Sequence, residues 1–488
     1  MSVSSYKKPD IKTEFSSIPS WVYLLIALVL YAFGTYAFVD YIVDPANAAI
    51  LENISSGLSV LVPISLPFLP LLIAFGLVFL VITLILAYIL VWIMSKIAQE
   101  VTIAVCILFP LFMIGFGAIM AGGGLLLSGE EQAAVSLVGM LIAGLGVLFL
   151  IFVIWKFTMI KRSGKFVEFS AQLVLDEKAV LAMPLLLGIF SIITGFFMLF
   201  GFLKIVNLFS VQNTSGESEL SMIGTIVAII FEYIYLIVYL GVYYSLSAGV
   251  ISYASDWYRG LDPDLNSAMK DVRQVFPIII KFAFAMATVK LIMQIATGGG
   301  RSQRMRTTQG RQQPGAVIAG LVLAAFASII ISILGAIWMF LNYFTLISIV
   351  QNKRGLKDSI KDSAKTTWNA LLDVLVGETG FGLATFIFAI INSLLWIIIG
   401  FGFGLVVGQQ LGFGIFFAIV FLILGILPYN VVTMPMKVAF RSFIYSFAKD
   451  SIEGFKKPSR LPAELRNEFK TLSTKPRKRG MTDPSKYF

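Results

Sequence analysis

The chain has no histidine and one cysteine, and only 13% of its 488 residues are charged. Each shortage excludes chemistry. Without imidazole there is no histidine haem ligand, no Ser-His-Asp or Cys-His nucleophile system, no histidine proton relay, and little scope for a catalytic zinc site. The lone Cys106 can neither close a disulfide within the chain nor join a cysteine cluster. It lies in an apolar run, where a small buried hydrophobe is expected. A soluble domain carries about 25% charged residues, so the charge deficit sets this chain apart from one that folds in water.

What is abundant is apolar: 58% of the residues are hydrophobic and the mean hydropathy is +0.90. Runs long enough to cross a hydrocarbon core of roughly 30 Å recur along the whole length. A β-barrel would show alternating segments of about 10 residues instead. The expected fold is therefore all-α, a polytopic transmembrane bundle of about ten spans. They fall at 21–43, 64–95, 101–127, 134–160, 179–208, 221–248, 273–297, 315–350, 377–408 and 412–447. The predicted organisation is a polar N-terminus (1–20), a four-helix region (21–160), a six-helix domain (161–455) and a basic tail (456–488).

Orientation follows from lysine and arginine in the short loops. Lys7, Lys8 and Lys12 precede a full apolar span from Trp21, which predicts an uncleaved signal-anchor with the N-terminus cytoplasmic. The loop after the first span has no base, and the next holds Lys96. The acidic stretches SGEEQ and SVQNTSGESEL fall outside. Loops with Lys161, Arg162, Lys165 and Lys178, and with Arg259 and Lys270, fall inside. The sequons at Asn53 and Asn213 both land outside. The loop 351–376 and the tail, which from Lys449 has 11 bases against 5 acids, read as cytoplasmic. No nucleic-acid motif accompanies the tail, so anionic membrane lipid is its expected partner.

One segment breaks the alternation. Residues 298–314 carry Arg301, Arg304, Arg306 and Arg311 with no acid, yet the parity of spans puts them outside. They read as a flexible loop, either a contact for an acidic extracytoplasmic partner or a tolerated insert. The inside alternative requires 315–350 to fold as a hairpin. At 36 residues, about 54 Å as one helix, that run is long for one span and short for two. Its middle lacks strong turn residues, which favours one tilted helix.

Three inner segments have amphipathic spacing. In 165–178, Phe166, Phe169 and Leu173 share a face. In 262–272, Asp262 is placed to cap a helix opening at Pro263. In 355–375, Leu356, Ile360, Ala364, Trp368, Leu371 and Leu375 form an apolar stripe beside Lys357, Lys361 and Lys365. Basic beside apolar, with tryptophan at headgroup depth, is the pattern of an interfacial helix, and it makes Lys357, Lys361, Lys365 and Trp368 candidate lipid-headgroup contacts. The alternative for all three is a linker helix packed under the bundle.

Four stretches in order carry a resemblance: AQLVLDEKAVLAMPLLLGIFS (171–191), WYRGLDPDLNSAMKDV (257–272), GLKDSIKDSAKTTWNALL (355–372) and FIYSFAKDSIEGF (443–455). Over residues 165 to 455 the chain resembles an archaeal and bacterial integral-membrane family of unknown function. Met183-Pro184-Leu185-Leu186 stands where that family has Phe-Pro-Leu-Leu, and Ser363 and Trp368 match its Ser…Thr-Trp helix. It is more loosely similar to six-helix membrane regions that accompany some glycerophosphodiesterases, whose enzyme part has no counterpart here. The resemblance implies a six-helix membrane domain in a prokaryotic cell membrane with no known activity, so it carries over no catalytic residue.

Glu232 is the clearest intramembrane charge, about ten residues into its span and so about 15 Å deep. Lys281 and Lys290 on the next span are the available cations. The trio reads either as an ion or proton step in a transporter or channel, or as a structural pair or a protonated carboxyl bonded to a tyrosine. The glycines at 400–414 and at 122–124 read as close-packing positions. No P-loop, metal or cofactor motif stands out. The expectation is a non-enzymatic scaffold or subunit of a membrane complex, binding lipid and other membrane subunits; the alternative is a transporter or channel.

Overall fold

A computed structural model describes residues 15–43, 62–124, 130–212, 218–306, 331, 334–369, 371–408, 411–453 and 459–460. It is all-α apart from one small hairpin. The N-terminal part has α1 (Ile18–Val43), α2 (Val62–Gly124), α3 (Glu130–Trp155) and α4 (Phe157–Asp176). A 3-10 turn (Lys178–Leu181) leads to α5 (Ala182–Phe209). β1 (Ser210–Gln212) and β2 (Ser218–Leu220) pair antiparallel, Ser210 opposite Leu220, and lead into α6 (Met222–Tyr258) and α7 (Leu265–Arg306). Helical residues 334–341 precede α8 (Thr345–Asn352), α9 (Leu356–Asn369), α10 (Leu371–Gly408) and α11 (Leu411–Glu453). Eight helices among the described residues are long and apolar enough to cross a membrane. Leucine, isoleucine, valine and phenylalanine cover the outward faces of these helices, as lipid-facing surface requires.

α1, α5, α6 and α7 pack as one group. Tyr23 of α1 donates to the carbonyl of Val238 at 2.8 Å, and Tyr31 pairs with Thr194 at 2.9 Å. At the other end of α1, Lys204 of α5 bonds Asp40 at 2.5 Å. α6 ends in a Schellman motif: Leu261 N–H bonds Asp256 O at 3.0 Å, Gly260 N–H bonds Trp257 O at 3.0 Å, and Gly260 takes φ 77°. The next helix starts later than its sequence suggests. α7 opens at Leu265, and Asp264 rather than Asp262 caps it, accepting from Ser267 N–H at 3.1 Å.

The N-terminal region differs from the expected four spans. The sequence predicts two spans within 64–127, turning at 96–100, but α2 is one continuous helix through them. The segment Lys96–Glu100 has no Gly or Pro, so nothing in it stops a helix. α2 also runs antiparallel past α10 without reversing: Thr102 touches Gly380, while Leu86 shares a cluster with Trp396 and Cys106 shares one with Val376. The C-terminal half of α2 then pairs with α3 backbone to backbone. A Cβ on Gly117 would lie 2.5 Å from Ala143 N, and one on Gly139 would lie 2.4 Å from Ala121 N. The close-packing glycines are these, not Gly122 and Gly123, which have open space. In the other glycine-rich turn a Cβ on Gly400 would lie 2.5 Å from Phe417 O.

The Arg-rich segment also differs from expectation. α7 continues to Arg306, so Arg301, Arg304 and Arg306 stand on helical backbone; Ser-Gln-Arg-Met-Arg is a run of adequate helix formers. Arg311, Asn53, Asn213, most of 315–333 and nearly all of the tail lie outside the described residues.

Candidate functional site: the ion-paired end of the helices

The end of α6, the start of α7, α8, α9, the start of α10 and the end of α11 meet in one layer. Its core is aromatic: Trp257, Tyr258, Phe344, Phe440, Phe443 and Tyr445 are all buried. α4 threads through this layer. Phe166 meets Phe447 and Phe169 meets both Trp257 and Phe443. Within 165–178 the polar Glu168 and Ser170 are buried with Phe166, Phe169 and Leu173, so this stretch packs inside the protein on more than one face.

Five carboxylates of this layer are matched to bases. Asp450 takes two bonds from Arg259, Nη1 to Oδ2 at 2.6 Å and Nη2 to Oδ1 at 2.8 Å, and a third from Tyr258 at 3.1 Å. Their side chains are 2% and 12% exposed, so the pair is inside the protein. Asp271 accepts from Ser252 at 2.7 Å and faces Lys353 at 3.0 Å. Lys353 also donates to Gln274 at 2.5 Å. Lys353 has φ 48°, the left-handed region that a side-chain-bearing residue seldom enters. Its burial and two bonds hold it there, linking the end of α8 to α7. Glu378 receives a fork from Arg441, at 2.7 and 3.0 Å, and the Tyr343 hydroxyl at 2.6 Å. Glu168 pairs with Lys165 at 2.8 Å and accepts the Gln99 main-chain N–H at 3.1 Å, drawing α2 onto α4.

Asp362 of α9 is the most heavily bonded. It accepts from Tyr445 at 2.5 Å, from Ser348 at 2.8 Å and from Lys449, and Asn352 bridges it to the Tyr445 hydroxyl at 2.6 Å. Burial pushes this carboxyl up, but the bonds from Lys449, Tyr445 and Ser348 outweigh it and hold Asp362 below the usual carboxylate range. Among the described residues no three His, Cys, Asp or Glu side chains converge as a metal site would need. The acids are dispersed and neutralised one by one. Such an arrangement ties helix ends together.

The residues singled out from the sequence fall elsewhere. Glu232 accepts from Gln294 Nε2 at 2.6 Å. Lys281 and Lys290 are exposed, and no ion pair joins either to Glu232 among the described residues. Lys357, Lys361 and Lys365 are exposed along α9, and Trp368 is 62% exposed. The buried face of α9 is hydroxylic (Ser359, Ser363, Thr366 and Thr367), while Leu356, Ile360 and Ala364 of the expected apolar stripe are half-buried. Ser363 accepts the main-chain N–H of Phe344 at 2.9 Å, which gives that serine a packing role. The sequence signal for the layer was the density of acids and bases at span ends; their pairings needed the fold.

No protein-family model and no curated protein matches this chain.

Proposed function

We propose that this chain is an integral membrane protein without enzymatic activity, acting as a scaffold or subunit of a membrane assembly in a prokaryotic cell membrane. The ion-paired layer is read as its cytoplasmic end, with both termini on that side. The observation that carries the reading is the neutralisation of Asp271, Asp362, Glu378 and Asp450, each by a lysine or arginine in another helix or just past its end. Charges held this way tie helices together and leave contact surfaces as the means of action. The resemblance of residues 165–455 to an integral-membrane family without known activity agrees with this. Membrane lipid, other membrane subunits and an acidic partner for the Arg-rich segment are the contacts it calls for.

The test is purification from the native membrane in mild detergent. A stoichiometric co-purifying membrane protein is expected; a chain that always emerges alone counts against the scaffold. Sidedness has its own test. With Cys106→Ala and Ser302→Cys, an impermeant thiol reagent is expected to label intact cells, and labelling only after lysis would place the Arg-rich segment inside. Transport remains the second reading, favoured by one observation: among the described residues Glu232 is bonded to a neutral amide and not to a cation. Reconstituted protein is expected to show no flux that Glu232→Gln abolishes; such a loss in folded protein would move the reading to transport.

A further inference from the structure

The exposed side of α9 has features that helix anchoring does not use. Arg354, Asp358, Lys361, Asp362 and Lys365 line an open cleft of about 510 Å³. Lys357, Lys361 and Lys365 recur every fourth residue, so they lie on one helical face, and all three are exposed. None of the three has an ion-pair partner among the described residues. Asp362, though it lines the cleft, is already matched by Lys449 and Tyr445, and its approach to Arg354 is loose at 3.8 Å. Asp358 alone of the lining acids is exposed and outside that network. The cleft therefore presents a surplus of positive charge with room for an anionic group.

Trp368 stands on the same face, three residues beyond Lys365 and three before α10 begins at Leu371. It is 62% exposed although smaller side chains of α9 are fully buried. A tryptophan held outward where an apolar helix begins is the signature of the membrane–water interface. Cations beside it then lie at phosphate depth.

We propose that this face of α9 binds the headgroup of an acidic phospholipid: Arg354, Lys361 and Lys365 surround the phosphate, Lys357 adds long-range attraction, and Trp368 seats the site at headgroup level. The proposal rests on reading this end of the helices as the cytoplasmic membrane boundary. A free phosphate ester would satisfy the cations but would gain nothing from Trp368, which selects the lipid. An acidic soluble protein would find a narrow strip at the bilayer surface and would compete with that surface for it.

Full-length protein, stripped of lipid in mild detergent, is titrated with phosphatidylglycerol and with phosphatidylcholine, and bound lipids are counted by native mass spectrometry. Wild type is expected to prefer phosphatidylglycerol. Charge removal should weaken that binding about fivefold per base, so the Arg354→Gln, Lys361→Gln, Lys365→Gln protein should lose about a hundredfold. Lys361→Arg with Lys365→Arg should keep the preference, and Trp368→Ala should weaken both lipids by a smaller factor. If the triple variant does not fold, Lys361→Gln alone carries the test. Unchanged phosphatidylglycerol binding in the charge variants overturns the proposal. So does glycerol phosphate that binds wild type as tightly as the lipid, or an acidic protein that displaces the lipid at equal concentration. A chain that prefers phosphatidylglycerol but never co-purifies with a partner would defeat the scaffold reading and leave this site standing.

Discussion

The α2–α3 hairpin and the ion-paired layer solve the same problem, holding helices together, by opposite means. In the hairpin, glycines let two backbones touch, and no described ion pair spans it. Its remaining surface is leucine, isoleucine, phenylalanine and tryptophan facing outward. In the layer, side chains keep the helices apart and charge-assisted hydrogen bonds bridge the gaps. The side chains at hand explain the contrast. Glycine leaves nothing between the backbones of the hairpin, so close van der Waals packing joins them. Buried charges in the layer are tolerable once paired. The two regions should therefore respond oppositely to substitution.

The largest effect is expected where a buried charge loses its partner. Asp271→Asn leaves Lys353 buried, in a left-handed backbone, with a neutral amide, and should cost about 3–5 kcal/mol in thermal or denaturant unfolding in detergent. The comparison weakens if this variant melts like wild type. Next comes Gly117→Val in the hairpin. Its new atoms meet main chain that cannot step aside, and a loss of about 1–3 kcal/mol is expected, against less than about 0.5 for Gly122→Ala, which faces open space. Equal losses at both positions would show that backbone contact is not what joins α2 to α3.

Acid should separate the two regions by a smaller amount. Asp362 has its folded pKa depressed, so its contribution is complete above the ordinary carboxylate range of about 4 and is lost as pH falls through the lower folded value. Lowering the pH toward 3 should reduce the unfolding midpoint, and Asp362→Asn should reduce the part of that slope that α9 supplies. The hairpin, having no described carboxylate pair, should contribute none of it. The smallest effect is expected at buried oxygens with no hydrogen-bond partner among the described residues, Thr102 Oγ1 and Ser163 Oγ. Thr102→Val and Ser163→Ala should change stability by less than about 1 kcal/mol, with a slight gain as the expected sign. A loss of several kcal/mol would mean that these oxygens are satisfied in the native membrane.

The class of the fold was legible because hydropathy alone decides it: runs such as Trp21–Val39 have no soluble alternative. Helix boundaries were less so. Lys96–Glu100 looked like a loop by charge, yet its residues favour helix and its buried Ala98 and Gln99 pack inside. Glu232 drew attention as an isolated charge in an apolar run, since a linear pattern shows depth but not partners. Glu378 and Arg441 lie 63 positions apart, and Arg259 and Asp450 lie 191 apart. No local spacing encodes such pairs, so the most bonded groups of the molecule stayed invisible until the helices were assembled. On α9 the reverse happened: the lysine period was readable, but the burial of its serines and threonines depended on α8.

The claim that the layer's charges serve helix anchoring is tested most directly by a double-mutant cycle on Arg259 and Asp450. Unfolding free energies are measured for Arg259→Gln, Asp450→Asn and the two combined, in the same detergent. Each single change should cost about 3–5 kcal/mol, and the double should cost clearly less than their sum, leaving a coupling of about 1–3 kcal/mol. Additive losses, or single variants as stable as wild type, would contradict the account.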